Sequence, residues 1–379
     1  MGDVTVERVE GPKGLARFLA VPDPIYRDDP CWVKPLDFER RQHLDASKNP
    51  FLARIEMALF VARRGGRDVG RISAQINRAH LERYGDATGH FGFLEGEDDP
   101  DVFAALTGTA ERWLAERGMT RVAGPFDPSI NDTCGLLVEG FDTPPSMMMG
   151  HHRPWYARRL EALGYRKAKD LICYWYDVQR DWPEAASRLL ERGLRAGKIR
   201  VRPLDMRRYA EEIATICAIF NDAWADNWGF LPFDEAEARY LATSIRPLVR
   251  AEDFAIGELD GEAAAMVVTL PNLNLAIRDL RGRLWPFGWA KLLWRLKVRG
   301  IPEGRMPLMG VRRAFQNGPW GAALALAVIR AVHEHHRARG TRGAELSWVL
   351  EDNRRTDALI RLMGGRPYKT YRIYVKELA

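Results

Sequence analysis

A chain of 379 residues, 46% hydrophobic and 28% charged, has room for two ordinary domains and is too apolar for a disordered polymer. Its net charge of +6 suits an acidic small molecule or an anionic membrane surface; the basic residues are dispersed, so no nucleic-acid partner is expected. Four scattered cysteines (Cys31, Cys134, Cys173, Cys217) form no CxxC pair, so neither a metal site nor a disulfide framework is expected, and a reducing cytosol is the default.

In chain order, MGDVTVERVEGPKG lacks the basic-then-apolar layout of a signal peptide, and no apolar run is long enough to span a bilayer. Residues 58–76, ALFVARRGGRDVGRISAQI, predict strand, Gly-Gly hairpin, strand. A helix follows over 103–118, stopping at Arg117-Gly118, and then a short strand over 120–126. The loop at 127–153 is long for a compact domain and too apolar for disorder, with Cys134, three methionines (Met147, Met148, Met149) and the pair His151-His152. It reads as part of a substrate site or as a structural cover, and at most one of two adjacent histidines on an extended chain faces chemistry. A helix, a glycine stop and a Tyr-rich strand over 156–178 close this half.

Past a boundary near Arg180 the same events recur. FAIGELDGEAAAMVVTL (254–270) predicts a second hairpin around Asp260-Gly261; a helix over 322–340 again stops at Arg-Gly; a strand follows over 344–350; helix, glycines and a Tyr-rich strand over 356–378 end the chain. This repetition predicts two copies of one α/β domain with a mixed α+β sheet, residues 1–180 and 181–379. The second copy carries an insertion at 275–305, where Trp285, Trp289, Leu292, Leu293 and Leu296 form one helical stripe flanked by Lys291, Arg295 and Lys297. Such a stripe over 284–298 suits an anionic membrane surface, or packing on its own domain. His333-Glu334-His335-His336 lacks the HExxH spacing, since Arg337 stands where the second ligand would be; solvated surface is expected there.

Strand 305–311 runs into Gln316-Asn317-Gly318-Pro319-Trp320-Gly321 and then a long helix. Glycines at a helix N-terminus let a phosphate approach unsatisfied N–H groups, and Arg312 and Arg313 add positive charge. The element order and the span Val311–Leu324 resemble the GNAT (GCN5-related) N-acyltransferase family. Gln316 takes the first position of that family's Gln/Arg-x-x-Gly-x-Gly/Ala signature, and Gly321 its last. Pro319 replaces the central glycine and offers no N–H there. The later helix following Asn353 also resembles the family's. This implies tandem GNAT-like domains and a site for an acyl thioester (acyl-CoA or acyl carrier protein) as co-substrate, with no permanently bound cofactor. Val311, Arg312, Arg313, Gln316, Asn317, Gly318, Trp320, Gly321, Ala322 and Asn353 would hold the donor. The first half has FLEGEDDPDV (93–102) at the equivalent place, whose carboxylates would repel a phosphate.

The tandem layout, the insertion and GPFDPSINDTCGLLVEGFDTPP (124–145) together resemble the bacterial ceramide synthase group, which implies acylation of a long-chain lipid amine and a cytoplasmic protein lying on the inner membrane. A small-amine N-acetyltransferase remains open, as does a non-catalytic acyl-CoA sensor or lipid-binding scaffold, the latter because 305–311 has no Glu where relatives keep a base and Ile360 replaces the usual tyrosine. An ammonium must lose a proton before its nitrogen attacks a thioester. Glu351, beside Asp352, is the first candidate acceptor, or else the start of a helix; Asp132 and His152 are the others.

Overall fold

The structure is a computed structural model that describes residues 3–195, 197–318 and 320–378. The chain divides into two compact units. The first comprises 1–171, 277–289 and 369–379; the second comprises 172–276 and 290–368. The boundary expected near Arg180 thus falls at Leu171/Ile172, and the chain's last eleven residues return to the first unit. Part of the insertion belongs to each.

In the first unit, β1 (Thr5–Val9), β2 (Ile55–Arg64), β3 (Arg67–Asn77), β4 (Thr88–Gly96) and β5 (Arg121–Gly124) are neighbours in that order. The β2–β3 hairpin turns at Gly65 and Gly66, both at positive φ, where a side chain would be strained. β4 and β5 are parallel. The long loop contributes the short strands β6 (Phe126–Asp127), β7 (Thr133–Cys134) and β8 (Leu136–Glu139), before β9 (Arg166–Asp177), whose residues to Leu171 belong here. Helix Pro100–Ala115 buries Val102, Phe103, Leu106, Ala110 and Leu114 against the sheet, the i, i+4 spacing of a one-faced helix.

In the second unit, β10 (Ile199–Arg202), β11 (Phe254–Leu259), β12 (Glu262–Pro271), β13 (Glu303–Val311) and β14 (Gly343–Leu350) follow the same scheme, in the order β10-β11-β12-β13-β14-β9. The β11–β12 hairpin turns at Asp260-Gly261, again with both φ values positive. Helix Gly321–Ala338 packs Leu324, Ala325, Val328 and Val332 on the sheet. The last strand, β15 (Arg366–Glu377), starts in this unit, but from Lys369 onward it belongs to the first, where Tyr374–Glu377 pair antiparallel with Gly124–Arg121 of β5.

Candidate functional site

β13 and β14 run parallel through the pairs Glu303–Gly343 to Met306–Leu346 and then part. Past that point β13 continues on β12 alone, as far as Ala265–Val311. A cavity of about 750 Å³ occupies the opening, lined by Pro307, Met309, Gly310 and Val311 of β13, and by Ser347, Trp348, Val349 and Leu350 of β14. At its outer end stand Gln316, Gly321 and Ala322 on one side and Asp352, Asn353, Arg355 and Thr356 on the other.

The turn leading into helix Gly321–Ala338 suits a phosphate. That helix has no side-chain cap at Trp320 and no acidic residue in its first turn, so no side chain opposes an anion at the positive end of its dipole. The turn is braced from within. Gln316 Nε2 donates to Val311 O (2.8 Å) and Ala223 O (3.2 Å), and Arg355 Nη1 donates to Asn317 Oδ1 (2.6 Å). A Cβ on Gly321 would lie 2.7 Å from the carbonyl oxygens of Phe315 and Gln316, so the turn's own packing demands glycine there. Gly318 meets no such obstacle. Pro319 lies outside the described residues.

The two flanking arginines are turned elsewhere. Arg312 Nε donates to Ala263 O (2.8 Å), and Arg313 donates its N–H to Asp222 (2.7 Å) and sets its guanidinium 3.4–3.5 Å from Asp226. The cation that reaches the cavity beside the turn is Arg355. Sequence reading did not single it out, because it begins an ordinary charged helix, Arg354–Leu362. Asn353 is that helix's cap, accepting from Thr356 N (3.1 Å). Glu351 is exposed in the turn just before it and does not line the cavity, whereas its neighbour Asp352 does.

A buried network behind the opening was also missed. Arg305 Nε donates to Ser347 Oγ (2.8 Å), Ser347 Oγ donates to Glu345 Oε1 (2.5 Å), and Tyr368 donates its hydroxyl to Glu345. Glu345 is fully buried, and Ser347 brings the network to the cavity wall. AELSWVL reads as an alternating strand with one polar face; the signal that could have found the network is that Glu345 and Ser347 share this face with Arg305 on the paired strand.

In the first unit, β4 and β5 also part, after His90–Ala123. Here the opening is occupied by the chain itself. Gln75 Nε2 donates to Phe126 O (2.6 Å), Phe93 N donates to Asp127 Oδ1 (2.5 Å), and a Cβ on Gly92 would sit 1.8 Å from Phe126 O. Asp132 is half-buried in the same loop, accepts from Ser129 Oγ (2.9 Å), and has its pKa raised by desolvation, against the pull of His43. His152 Nδ1 accepts the N–H of Leu137 (3.0 Å), and burial pushes its pKa down to about 3. With that nitrogen engaged, His152 anchors the loop and is a poor proton acceptor. His151 pairs with Asp29 (3.0 Å). Nearby, Tyr26 and Tyr156 both donate to Glu95 (2.6 and 2.7 Å). Burial pushes the Glu95 carboxyl up to about 7, against the opposing charge of Arg71.

The insertion departs from the expected stripe. Its helix begins at Gly288 rather than Trp285, because Pro286 and Gly288 break the start, and its last turn (Arg295–Arg299) is π-helical. Trp285 and Phe287 are 82% and 77% exposed, and Trp289, Leu293, Trp294 and Val298 are exposed as well. These six leave half or more of their surface uncovered, whereas Leu292 and Leu296 of the expected stripe are half-buried. Residues 277–289 are held in the first unit by Arg278 Nη2 donating to Pro30 O (2.6 Å) and Asp37 N donating to Gly282 O (2.9 Å). In the second unit, Lys297 Nζ donates to Pro247 O (3.1 Å). Among the described residues, no helix is long and apolar enough to cross a membrane, and no group of side chains is placed to hold a metal.

No family model matches the sequence. The chain is 48% identical over 377 residues to the bacterial ceramide synthase of Caulobacter vibrioides, covering 99% of this chain and 98% of that one. It is 45% identical over 365 residues to protein YghO of Escherichia coli K12, covering 96% and 93%. A tandem GNAT protein from the clavulanic acid biosynthesis pathway aligns over 100% of this chain and 99% of its own with a TM-score of 0.56 at 15% identity. A GCN5-related N-acetyltransferase from Sphaerobacter thermophilus gives 0.53 at 15% identity, over 99% and 96%. At such identities the structures establish the fold, and the full-length relatives establish the kinship: this chain belongs to the bacterial ceramide synthase family, N-acyltransferases that take an acyl group from a thioester donor to an amine, here on two tandem GNAT-fold units.

Proposed function

We propose that the protein acylates a long-chain lipid amine of the sphingoid-base type while lying on an anionic membrane. The observation that carries this reading is the exposure along the insertion of Trp285, Phe287 and Trp289 in the first unit and of Leu293, Trp294 and Val298 in the second, large apolar side chains of the kind that enter a membrane interface. Exposed Arg281, Arg283, Lys291 and Arg299 border it, as anionic headgroups would require. The Caulobacter relative's name points to the same class of product.

The donor, an acyl-CoA or a carrier-bound acyl group, would place its phosphate at the turn Gln316–Ala322 beside Arg355, and its pantetheine arm between the parted ends of β13 and β14. The amine nitrogen then attacks the thioester carbonyl carbon, the carbon–sulfur bond breaks, and the thiolate leaves and takes up a proton. The attacking nitrogen must first give up its ammonium proton. Glu351, exposed next to the cavity-lining Asp352, is the proposed acceptor, and Asp132 of the first unit is its rival. His152 we assign to holding the loop at 127–153.

The test is mass spectrometry of products after incubating the protein with palmitoyl-CoA and a sphingoid base on vesicles containing anionic lipid. An N-acyl sphingoid base is the expected product. Acylation of soluble amines alone would favour the small-amine alternative, and no product with either would return the protein to a binding role.

A further inference from the structure

We propose that the inner end of the second unit's cavity seats a long unbranched acyl chain, and that the pairs Thr269–His336 and Tyr176–His333 form the floor that measures its length. The inference rests on the donor reading above and adds where the chain goes and what stops it.

The cavity extends well past the phosphate turn. Along helix Gly321–Ala338 it is lined by Ala322, Ala325, Ile329, Val332 and His336, spaced three or four residues apart on one face. From Gly321 to His336 that face is about 22 Å long. An acetyl group would use only its beginning. The walls of this extension are Met306, Leu346, Leu359, Ile360 and Met363, all apolar and none positioned to contact a phosphate or an amine.

The far end is polar but self-satisfied. Thr269 Oγ1 donates to Asp253 O (2.6 Å) and, with its one hydrogen used there, accepts from His336 Nε2 (2.7 Å). The Tyr176 hydroxyl lies 2.9 Å from His333 Nδ1. These residues stand on β12, on β9 and on the last turns of the helix, so together with Met306 and Ala344 they close the cavity across the sheet. Burial holds His336 down at about 4 and lowers His333 too, so both rings are neutral at physiological pH. A terminal methyl gains nothing by displacing a satisfied hydroxyl–imidazole pair, and a longer chain would have to break one. A solvated surface is the expectation for this stretch; the structure instead buries His333 and half-buries His336 at this floor.

Calorimetric titration of the full chain with acyl-CoAs from two to twenty carbons, with no amine present, tests the seat separately from the reaction. Affinity should rise up to about fourfold per added methylene, until the chain meets the floor, and then fall. Val332→Phe should move the optimum to shorter chains, and Ala325→Leu, nearer the phosphate turn, should move it further in the same direction, each variant being checked by thermal melting. Thr269→Ala should move it to longer chains, a shift opposite to that of the two larger side chains and one that loss of folded protein would not produce. If folded variants keep the wild-type optimum, or affinity does not depend on chain length, the seat is wrong even where amine acylation is observed. If chain-length-dependent binding follows this order but no amine is acylated, the seat stands and the transfer reading falls.

Discussion

The two units share a plan, and the difference that bears on the site lies at the opening between the parallel strands and the helix that follows. In the first unit that helix begins at Pro100 with Asp99 as cap, its Oδ1 accepting from Asp101 N (2.9 Å), and Arg64 pairs with both carboxylates. In the second it begins at Gly321 with neither cap nor acid. Where the second unit has a cavity, the first has Phe126 and Asp127 hydrogen-bonded across the gap to β3 and β4. The first unit thus satisfies from its own side chains what the second leaves for a ligand. An anion site is made as much by leaving a helix end uncapped as by adding cations.

The sharpest way to break this comparison is to ask which unit supplies the proton acceptor. Glu351→Gln is expected to lower turnover about a hundredfold or more, with acyl-CoA affinity unchanged by calorimetry, while Asp132→Asn keeps normal turnover. The reverse pattern would place the chemistry in the first unit despite its filled opening.

A second contrast concerns stability. Glu95 is buried with a pKa of about 7 against an ordinary 4.5. Between those values the unfolded carboxyl has released its proton and the folded one still holds it, so stability should fall as pH rises from about 4.5 to about 7. The loss approaches about 3 kcal/mol. Hydrogen exchange should show β4 amides losing protection over that window while those of β14 do not, and Glu95→Gln should flatten the trend. Parallel behaviour of both strands would mean that the units do not open independently. Smaller again is the effect of Arg355. Arg355→Ala should weaken acyl-CoA binding about tenfold, the worth of one charge-assisted contact, and Arg312→Ala much less, since Arg312 is spent on Ala263 O.

What the sequence made legible was local. Gly65-Gly66 and Asp260-Gly261 announce hairpins because positive φ selects such residues, and Gly321 marks the turn because close packing there excludes a side chain. What it hid was long-range. Nothing in RPYKTYRIYVKE shows that its second half pairs with β5, some 250 residues earlier, because strand periodicity carries no partner information. His333 and His336 looked solvated because Glu334, Arg337 and Arg339 surround them in sequence, yet their helical positions fall on the cavity face. Arg355 and the Arg305–Ser347–Glu345 network were invisible for the same reason: each acquires its meaning from a neighbour on another element.

The smallest expected effect divides the exposed apolar surface itself. Trp285, Phe287 and Trp289 belong to the first unit's share of the insertion, and Leu293, Trp294 and Val298 to the second's. If both shares meet the membrane, removing one exposed cation from the second, Lys291→Gln, costs about 1 kcal/mol of binding to vesicles rich in anionic lipid, near fivefold in partitioning at low salt. That difference should shrink as the Debye length contracts, to about 3 Å at 1 M salt. Trp285→Ala, by contrast, should weaken binding to neutral vesicles as well, since a ring at headgroup depth gains from apolar contact that salt does not screen. Co-sedimentation of the two variants across a salt series separates these contributions. A Lys291→Gln deficit that persists at 1 M salt would show that this lysine supports the fold of the insertion instead of touching lipid. Equal loss from both variants on neutral vesicles would lead to the same conclusion, leaving the first unit's tryptophans as the membrane contact.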